Sequence, residues 1–451
     1  MNQPHDATER GGVLDNATTL FGQTFDCECG RRHHIEPRTV VYAPDAVDRL
    51  PHLVAQAEMG KRALVLMDAR TAKVGGRAAA AALEAAGHPG QRITVPDPAE
   101  GESPVCDDVT EAWIASEANE PEFIVSVGSG VISDLGKWLA GDRELPFVVV
   151  GTAASMNGYA SANVAPTLNG LKSLVRARPP AAVLADPRVI AGAPSEMTAS
   201  GLGDILAKSV SSTDWRLNHI LFGDYYCPRA VGLIEEIEPL YLERPAALRE
   251  RNPEAIEALF TGLLLTGVAM TMAETSAPSS GGEHMVSHAL DMLASAEDCG
   301  HDLHGRQVGI GTILASELYR RVLAVESPDL RQADVEINRR LWGPLAGVVA
   351  EAYAEKRPRI EQAADVLRRK DAWDSLREKL SAMIRPPERI RDCLKGAGAA
   401  HRAEDIGIGR ERLLTVFGHA HEIRSRFTIL DLARLAGVMP DAAQEIVEAW
   451  G

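Results

Sequence analysis

Short apolar runs alternate with longer mixed stretches through the first part of the chain. Val40 to Tyr42, Arg62 to Met67, Gln91 to Val95, Phe123 to Val127 and Phe147 to Val150 each read as a strand. The Ala63-Leu-Val-Leu-Met run has no polar alternation, the mark of a strand buried on both faces. An alanine-rich stretch, Gly76 to Ala86, follows the second run and reads as a helix. Strands alternating with helices predict a parallel sheet with crossover helices, an α/β arrangement. After Pro194 the pattern changes to long helical segments with few strand signals. The expected division is a loosely attached start over residues 1–25, an α/β domain over 26–193, and a helical domain over 194–451. The uncharged run Ala258 to Ala273 is shorter than the roughly 20 residues a bilayer requires and reads as a buried helix.

Composition narrows this picture. At 451 residues there is room for two cores, and 45% hydrophobic with 24% charged residues is ordinary globular usage. A formal net charge of −16 argues against nucleic-acid partners and against docking on anionic membranes. A phosphorylated substrate would therefore need a local basic pocket. Six cysteines do not make a disulfide framework in a chain this long. The stretch Met1 to Asp15 is polar, without the apolar core of a signal peptide, so a cytoplasmic location is expected.

Two groups of residues carry candidate chemistry. The first is Phe123-Ile-Val-Ser-Val-Gly-Ser-Gly-Val-Ile-Ser-Asp-Leu-Gly-Lys, read as strand, glycine turn and helix. Gly128 and Gly130 let the backbone approach a pyrophosphate, and a helix amino terminus offers N–H donors to it. The same turn also serves a merely structural strand–helix connection. Asp68, ending an earlier strand, is placed either to meet an adenosine ribose or to cap a helix. Arg70 would instead accept a 2′-phosphate, so NAD and NADP both stay open.

The second group is Asp204, in Gly201-Leu-Gly-Asp at a turn entering a helix, with His284 in Ser280-Gly-Gly-Glu-His and His304 just before Gly305. One carboxylate and two imidazoles suit zinc or another borderline divalent ion and leave a coordination position open. His284 and His288 share a helix face, but Met285 follows His284, so the His-Glu-x-x-His protease pattern fails. Taken singly, each histidine is an ordinary surface or core residue; the combination with flanking glycines gives them weight. Cys27, Cys29, His33 and His34 form a further set of metal-capable atoms. They lack a second cysteine pair at zinc-ribbon spacing and read as a structural hairpin or loop. Cys106, Cys227, Cys299 and Cys393 read as isolated packing residues.

These stretches, with Thr152-Ala-Ala-Ser-Met-Asn-Gly-Tyr-Ala-Ser, Asp214-Trp, His304-Gly-Arg-Gln-Val-Gly and Arg424-Ser-Arg-Phe-Thr-Ile-Leu-Asp, carry a resemblance in order from about residue 25 to 440. The chain resembles the bacterial branch of the sn-glycerol-1-phosphate dehydrogenase family, related to glycerol dehydrogenase, iron-type alcohol dehydrogenases and dehydroquinate synthase. The resemblance implies a Rossmann-like amino-terminal domain, an all-α carboxyl domain (a dehydroquinate synthase-like fold) and an active site between them. It implies a divalent ion (zinc, or nickel or iron) on Asp204, His284 and His304, with His288 either supporting those ligands or serving as a proton relay. Gly128, Ser129, Gly130, Asp134 and Asp68 would serve NAD(H) or NADP(H), with Thr152 and Ser155 on the nicotinamide side. The implied reaction is metal-dependent, NAD(P)H-linked reduction of dihydroxyacetone phosphate to sn-glycerol 1-phosphate by a homodimer or higher homo-oligomer. Lys172 and Lys208 are candidates for the substrate phosphate, or else ordinary surface lysines.

Two positions depart from the family pattern. Asn157-Gly158 stands where Asp-Gly is usual, and Gly151 replaces a proline. Asn157 would lie near substrate and nicotinamide, where an amide hydrogen-bonds a hydroxyl but cannot act as a base. Alternatives are a polyol dehydrogenase, a dehydroquinate synthase-type cyclase, and a non-catalytic nucleotide-binding protein.

Overall fold

The computed structural model describes residue 14 and residues 17–451, apart from 100, 101, 169, 170, 236, 298, 333 and 335. The expected loose start therefore falls largely outside the described residues. Its end is ordered, since β1 (Thr24–Asp26) pairs antiparallel with β2 (Arg32–His34).

The five expected strands are present as β3 (Thr39–Tyr42), β4 (Ala63–Asp68), β5 (Gly90–Val95), β6 (Phe123–Gly128) and β7 (Phe147–Gly151). Four two-residue strands follow: β8 (Asn163–Val164), β9 (Thr167–Leu168), β10 (Leu171–Lys172) and β11 (Val175–Arg176). They form two small antiparallel pairs, β8 with β11 and β9 with β10. A strand not foreseen, β12 (Ala182–Ala185), inserts between β7 and β3, giving the order β3-β12-β7-β6-β4-β5 with every neighbour parallel.

Alternate residues of one strand enter different cores. Leu64 and Leu66 face one cluster, while Ala63, Val65 and Met67 face another on the opposite side of the sheet. That two-sided burial is why the run lacks polar alternation. The expected Gly76 to Ala86 helix spans Arg77–Ala85, entered through a wider turn at Ala72–Gly76.

Chain order reverses direction in the sheet between β4 and β6, since β5 lies to one side of β4 and the later strands to the other. Such a switch point opens a crevice at the carboxyl ends of the strands. Asp68 ends β4 there and Gly128 ends β6.

After Ala185 the regular elements among the described residues are helices. Pro253–Ala273 is long and apolar enough to cross a membrane, but it is packed inside the fold, against the sheet-side core. Asp204 does not sit in an entering turn. It lies within the helix Ser195–Leu206, in its last turn. The glycines around it serve a helix crossing. A Cβ on Gly203 would lie 1.9 Å from the Gly305 carbonyl oxygen, and one on Gly305 would lie 1.9 Å from that of Ser200. Only bare backbones let the Ser195–Leu206 and His304–Ala324 helices approach this closely.

Candidate metal and cofactor site

Three helices deliver the Asp204, His284 and His304 side chains to one point. His284 belongs to Gly282–Ala296, and His304 is the first residue of His304–Ala324. One ligand atom from each of the three lies within 4.8 Å of the others, and His284 Nε2 is 3.4 Å from Asp204 Oδ1.

The far side of each imidazole is held. Glu283 Oε1 accepts from His284 Nδ1 at 2.7 Å, turning Nε2 toward Asp204. His304 Nδ1 meets Ser287 Oγ at 3.1 Å, and that hydroxyl donates to Gln307 Oε1 at 2.9 Å, so it accepts from the ring. Such outer partners fix the tautomer and orientation that a metal-binding histidine needs.

The amino end of the His284 helix is anchored by Asp214, which accepts from Gly282 N at 2.7 Å, Ile429 N at 2.8 Å and Tyr319 Oη at 2.5 Å. Burial, reinforced by Glu283, pushes the Asp214 carboxyl up to about 8. The Ser280-Gly-Gly sequence permits this contact, because a Cβ on Gly281 would lie 2.5 Å from Asp214 Oδ2.

Charge around the cluster favours a cation. Burial opposes a proton on His284, yet the carboxylates of Asp204 and Glu283 outweigh it and hold the ring up to about 9. Burial and the neighbouring His284 charge push His304 down to about 3. A divalent ion suits the field that otherwise retains that proton, so the donor set fits a metal both in chemistry and in electrostatics. His288 stacks on His304 at 5.5 Å between ring centroids, and its Nδ1 is buried without a hydrogen-bond partner. Burial and the Arg424 charge hold it well below the usual histidine range, hence neutral.

Asn157 lines the cleft and also meets Asp204. Its backbone N–H reaches Asp204 Oδ2 at 2.8 Å and its side-chain amide reaches Oδ1 at 3.1 Å. This amide thus presents a donor to the carboxylate.

Asn157, Asp204, His284, His288 and His304 line a cleft of about 2130 Å³ whose other wall is the sheet crevice, with Ser129, Gly130, Asp134, Thr152 and Ser155 on it. Gly130 borders open space, its nearest neighbour to a built Cβ being Met156 Cγ at 3.6 Å. Gly128 is not on the cleft surface. A Cβ there would lie 2.6 Å from Ile132 Cβ, so its bareness serves the turn itself. Gly136, not singled out from sequence, packs the following helix on β6, where a Cβ would lie 1.9 Å from Ser126 Oγ. Asp134 Oδ2 accepts from Ala165 N at 3.2 Å, and Oδ1 lies 3.5 Å from the buried Lys137 ammonium.

Asp68 lines the cleft and also caps the next turn, with Oδ1 accepting from Arg70 N and Thr71 N. Its Oδ2 lies 3.2 Å from the Arg70 guanidinium, which Asp97 holds from the other side at 2.7 Å.

The two lysines part company. Lys172 lines the cleft, near enough to His304 and His288 to depress both. Lys208 does not reach the cleft. Its Nζ is buried on the Ala230 carbonyl at 3.3 Å, and burial pushes it down to about 8 despite Glu238 and Glu235. Arg424 is a basic group on the cleft that sequence reasoning missed, and it donates to the Lys172 carbonyl at 3.0 Å. Burial lowers its pKa, and among the described residues no carboxylate lies within ion-pair distance of it. The signal was the Arg424-Ser-Arg stretch, quoted for resemblance but not weighed as charge.

A dinucleotide crevice facing an Asp-His-His cluster on a helical half defines the class of iron-type alcohol dehydrogenases. Residues 41–194 match the family model described as iron-containing alcohol dehydrogenase. A probable glycerol dehydrogenase from Sinorhizobium meliloti shares the fold, with a TM-score of 0.56 at 16% identity, covering 92% of this chain and 98% of that one. More particularly, the chain belongs to the glycerol-1-phosphate dehydrogenase family. It is 30% identical over 283 residues to the glycerol-1-phosphate dehydrogenase [NAD(P)+] of Thermococcus sibiricus, covering 63% of this chain and 78% of the relative. It is 28% identical over 422 residues to that of Bacillus licheniformis, covering 92% and 93%.

Proposed function

We propose that this protein is an oxidoreductase acting on CH–OH groups, interconverting dihydroxyacetone phosphate and sn-glycerol 1-phosphate with NAD(P)(H) and a divalent metal ion. The observation that carries the reading is the shared cleft, with the Ser129–Gly130 turn on one wall and Asp204, His284 and His304 on the other. Family membership supports the same substrate, since the relatives from Thermococcus sibiricus and Bacillus licheniformis carry that activity in their names.

In this reading Asp204, His284 and His304 hold the metal, and residues 26–193 and 194–451 act as cofactor and metal halves. Bound metal supplies polarisation of a carbonyl and bound NAD(P)H supplies hydride. Asn157 holds the Asp204 carboxylate, while Glu283 and Ser287 orient the two imidazoles. Lys172 and Arg424 take the phosphate. A half-buried guanidinium with no carboxylate at ion-pair distance among the described residues, next to a lysine, is what an anionic group requires in a chain of net charge −16. Neutral His288 offers a hydrogen bond to a substrate hydroxyl and passes a proton on from solvent. Arg70 is already engaged by Asp68 and Asp97, which favours NADH over NADPH. Zinc, nickel and ferrous ions all accept this ligand set. A cytoplasmic homo-oligomer completes the proposal.

The test is oxidation of NADH by purified protein with dihydroxyacetone phosphate, with chelator and with metal restored. Turnover that chelator abolishes and metal restores supports the reading. Turnover with dihydroxyacetone but not with its phosphate overturns the phosphate assignment in favour of a polyol dehydrogenase. Tight NADH binding without turnover points to a non-catalytic protein.

A further inference from the structure

Away from the cleft, the β1–β2 hairpin meets the segment just before the helix Pro228–Gly232. Cys27, Cys29 and His33 come from the hairpin, and Cys227, almost 200 positions later, comes from that segment. One ligand atom from each of the four lies within 4.8 Å of all the others. Cys27 Sγ is 3.8 Å from Cys227 Sγ, His33 Nε2 is 3.8 Å from Cys227 Sγ, and His33 Nε2 is 3.2 Å from Cys29 Sγ.

Those separations have a simple interpretation. Four ligands at the usual zinc–sulfur and zinc–nitrogen bond lengths in a tetrahedron place two sulfurs about 3.8 Å apart and a sulfur and nitrogen about 3.6 Å apart. The Cys27–Cys227 edge of 3.8 Å matches the first value, and the two sulfur–nitrogen edges of 3.2 and 3.8 Å straddle the second. A disulfide would need sulfurs at about 2.05 Å. Among the described residues His33 and Cys227 are buried, so the set faces inward, and His34 is left outside it on Thr24 Oγ1 at 2.7 Å.

We propose that Cys27, Cys29, His33 and Cys227 form a second metal site that takes one zinc ion in a closed, tetrahedral, structural role. The turn that spaces the first two cysteines is built for this. Gly30 N donates to the Cys27 carbonyl at 2.9 Å and Gly30 holds φ at +83°, where other residues are strained. Three thiols lose their protons on binding, leaving the zinc–thiolate group with one net negative charge. Cations flank it. Arg31 stacks over the Tyr225 ring at 3.5 Å, and Arg229 over Phe25 at 4.1 Å. Tyr225 Oη also lies 3.1 Å from Cys29 Sγ, and its backbone carbonyl accepts from Trp215 Nε1 at 2.6 Å. Both Tyr225 and Trp215 line the cleft, so zinc here ties the amino-terminal hairpin to a stretch of cleft wall.

Zinc-loaded protein is compared with the His304→Ala and Cys227→Ser variants by elemental metal analysis and by cobalt substitution. The expected result is that His304→Ala keeps one equivalent of metal and a near-ultraviolet thiolate-to-cobalt band. Cys227→Ser loses that equivalent and the band while the Asp204 site still fills. Unchanged metal content in Cys227→Ser, or a non-reduced mass short by two hydrogens from a Cys27–Cys227 disulfide, overturns the proposal. Wild-type protein gives a second measurement should Cys227→Ser fail to fold. Alkylation of Cys27, Cys29 and Cys227, followed by peptide mass spectrometry, is suppressed by zinc and restored by chelator, with exposed Cys299 labelled throughout. Equal labelling of the three with and without zinc refutes the site.

Discussion

Asn157 grips both oxygens of Asp204, one through its backbone N–H at 2.8 Å and the other through its side-chain amide at 3.1 Å. The amide that stands in place of an acid is thereby a positioning group for the carboxylate. Asn157→Ala keeps the backbone bond and loses the amide. Loss of an outer-shell partner typically weakens metal binding about 10–100-fold. Metal titration of the chelated protein should show that loss, with metal-saturated activity largely recovered. His284→Ala removes a ligand atom outright, and saturating metal should not rescue it. Equal affinity in Asn157→Ala and wild type would show that the side-chain bond plays no part.

Gly130 offers a test of the cofactor wall that leaves folding alone. An alanine Cβ there meets nothing closer than Met156 Cγ at 3.6 Å, so Gly130→Ala should melt with the wild type. In the proposed reading, the added methyl instead stands where the pyrophosphate approaches. The KM for NADH should rise on the order of tenfold, about 1.4 kcal/mol, with that for the triose phosphate nearly unchanged.

Arg424→Gln should act on the other substrate. A charge-assisted hydrogen bond contributes about 1.5–3 kcal/mol, so the KM for dihydroxyacetone phosphate should rise roughly 10- to 100-fold. Steady-state kinetics in both substrates decides this. A change in the KM for NADH alone would place Arg424 on the cofactor instead.

Gly203→Ala should be costly. Its Cβ would stand 1.9 Å from the Gly305 carbonyl, a backbone atom that cannot swing aside. Forcing the two helices apart costs about 1–3 kcal/mol or more and lowers Tm. Gly192→Ala, with nothing within 4 Å of the new carbon, is the matched control and should leave Tm nearly unchanged.

Lys208 makes stability depend on pH in a definite direction. Burial lowers its folded-state pKa to about 8 from 10.5, so between these values the unfolded chain binds more protons. Stability therefore rises with pH across that window, and the cost of the buried ammonium is fully present below pH 8. At about 1.4 kcal/mol per pH unit, this amounts to a few kcal/mol. Lys208→Met should be the more stable protein at pH 7, and its advantage in Tm should shrink toward pH 10.5.

Much of this was readable in the chain because burial on both faces leaves unbroken apolar runs. Ala63 to Met67 and Phe147 to Val150 are of that kind, and both became strands. β12 escaped notice because Ala182-Val-Leu-Ala is short and carries one β-branched residue. Asp204 was placed in a turn because Gly201 and Gly203 look like turn residues. Their purpose, admitting a second helix, involves Gly305 about a hundred positions away. Lys208 looked like a phosphate ligand because a lone lysine gives no sign of being buried. Arg424 and Lys172 lie 252 positions apart, and Cys227 lies 200 from Cys27, so only folding joins them.

The segment from Thr152 to Asn157 bears on two guests at once. Thr152 and Ser155 border the cofactor wall, and five residues past Thr152 the same backbone clasps Asp204. Any tightening of this segment by one guest is felt by the other, and thermodynamic reciprocity makes the influence equal in both directions. The metal's dissociation constant thus becomes a gauge of nucleotide occupancy. A chelator competition run with and without NADH would read the coupling in the absence of substrate.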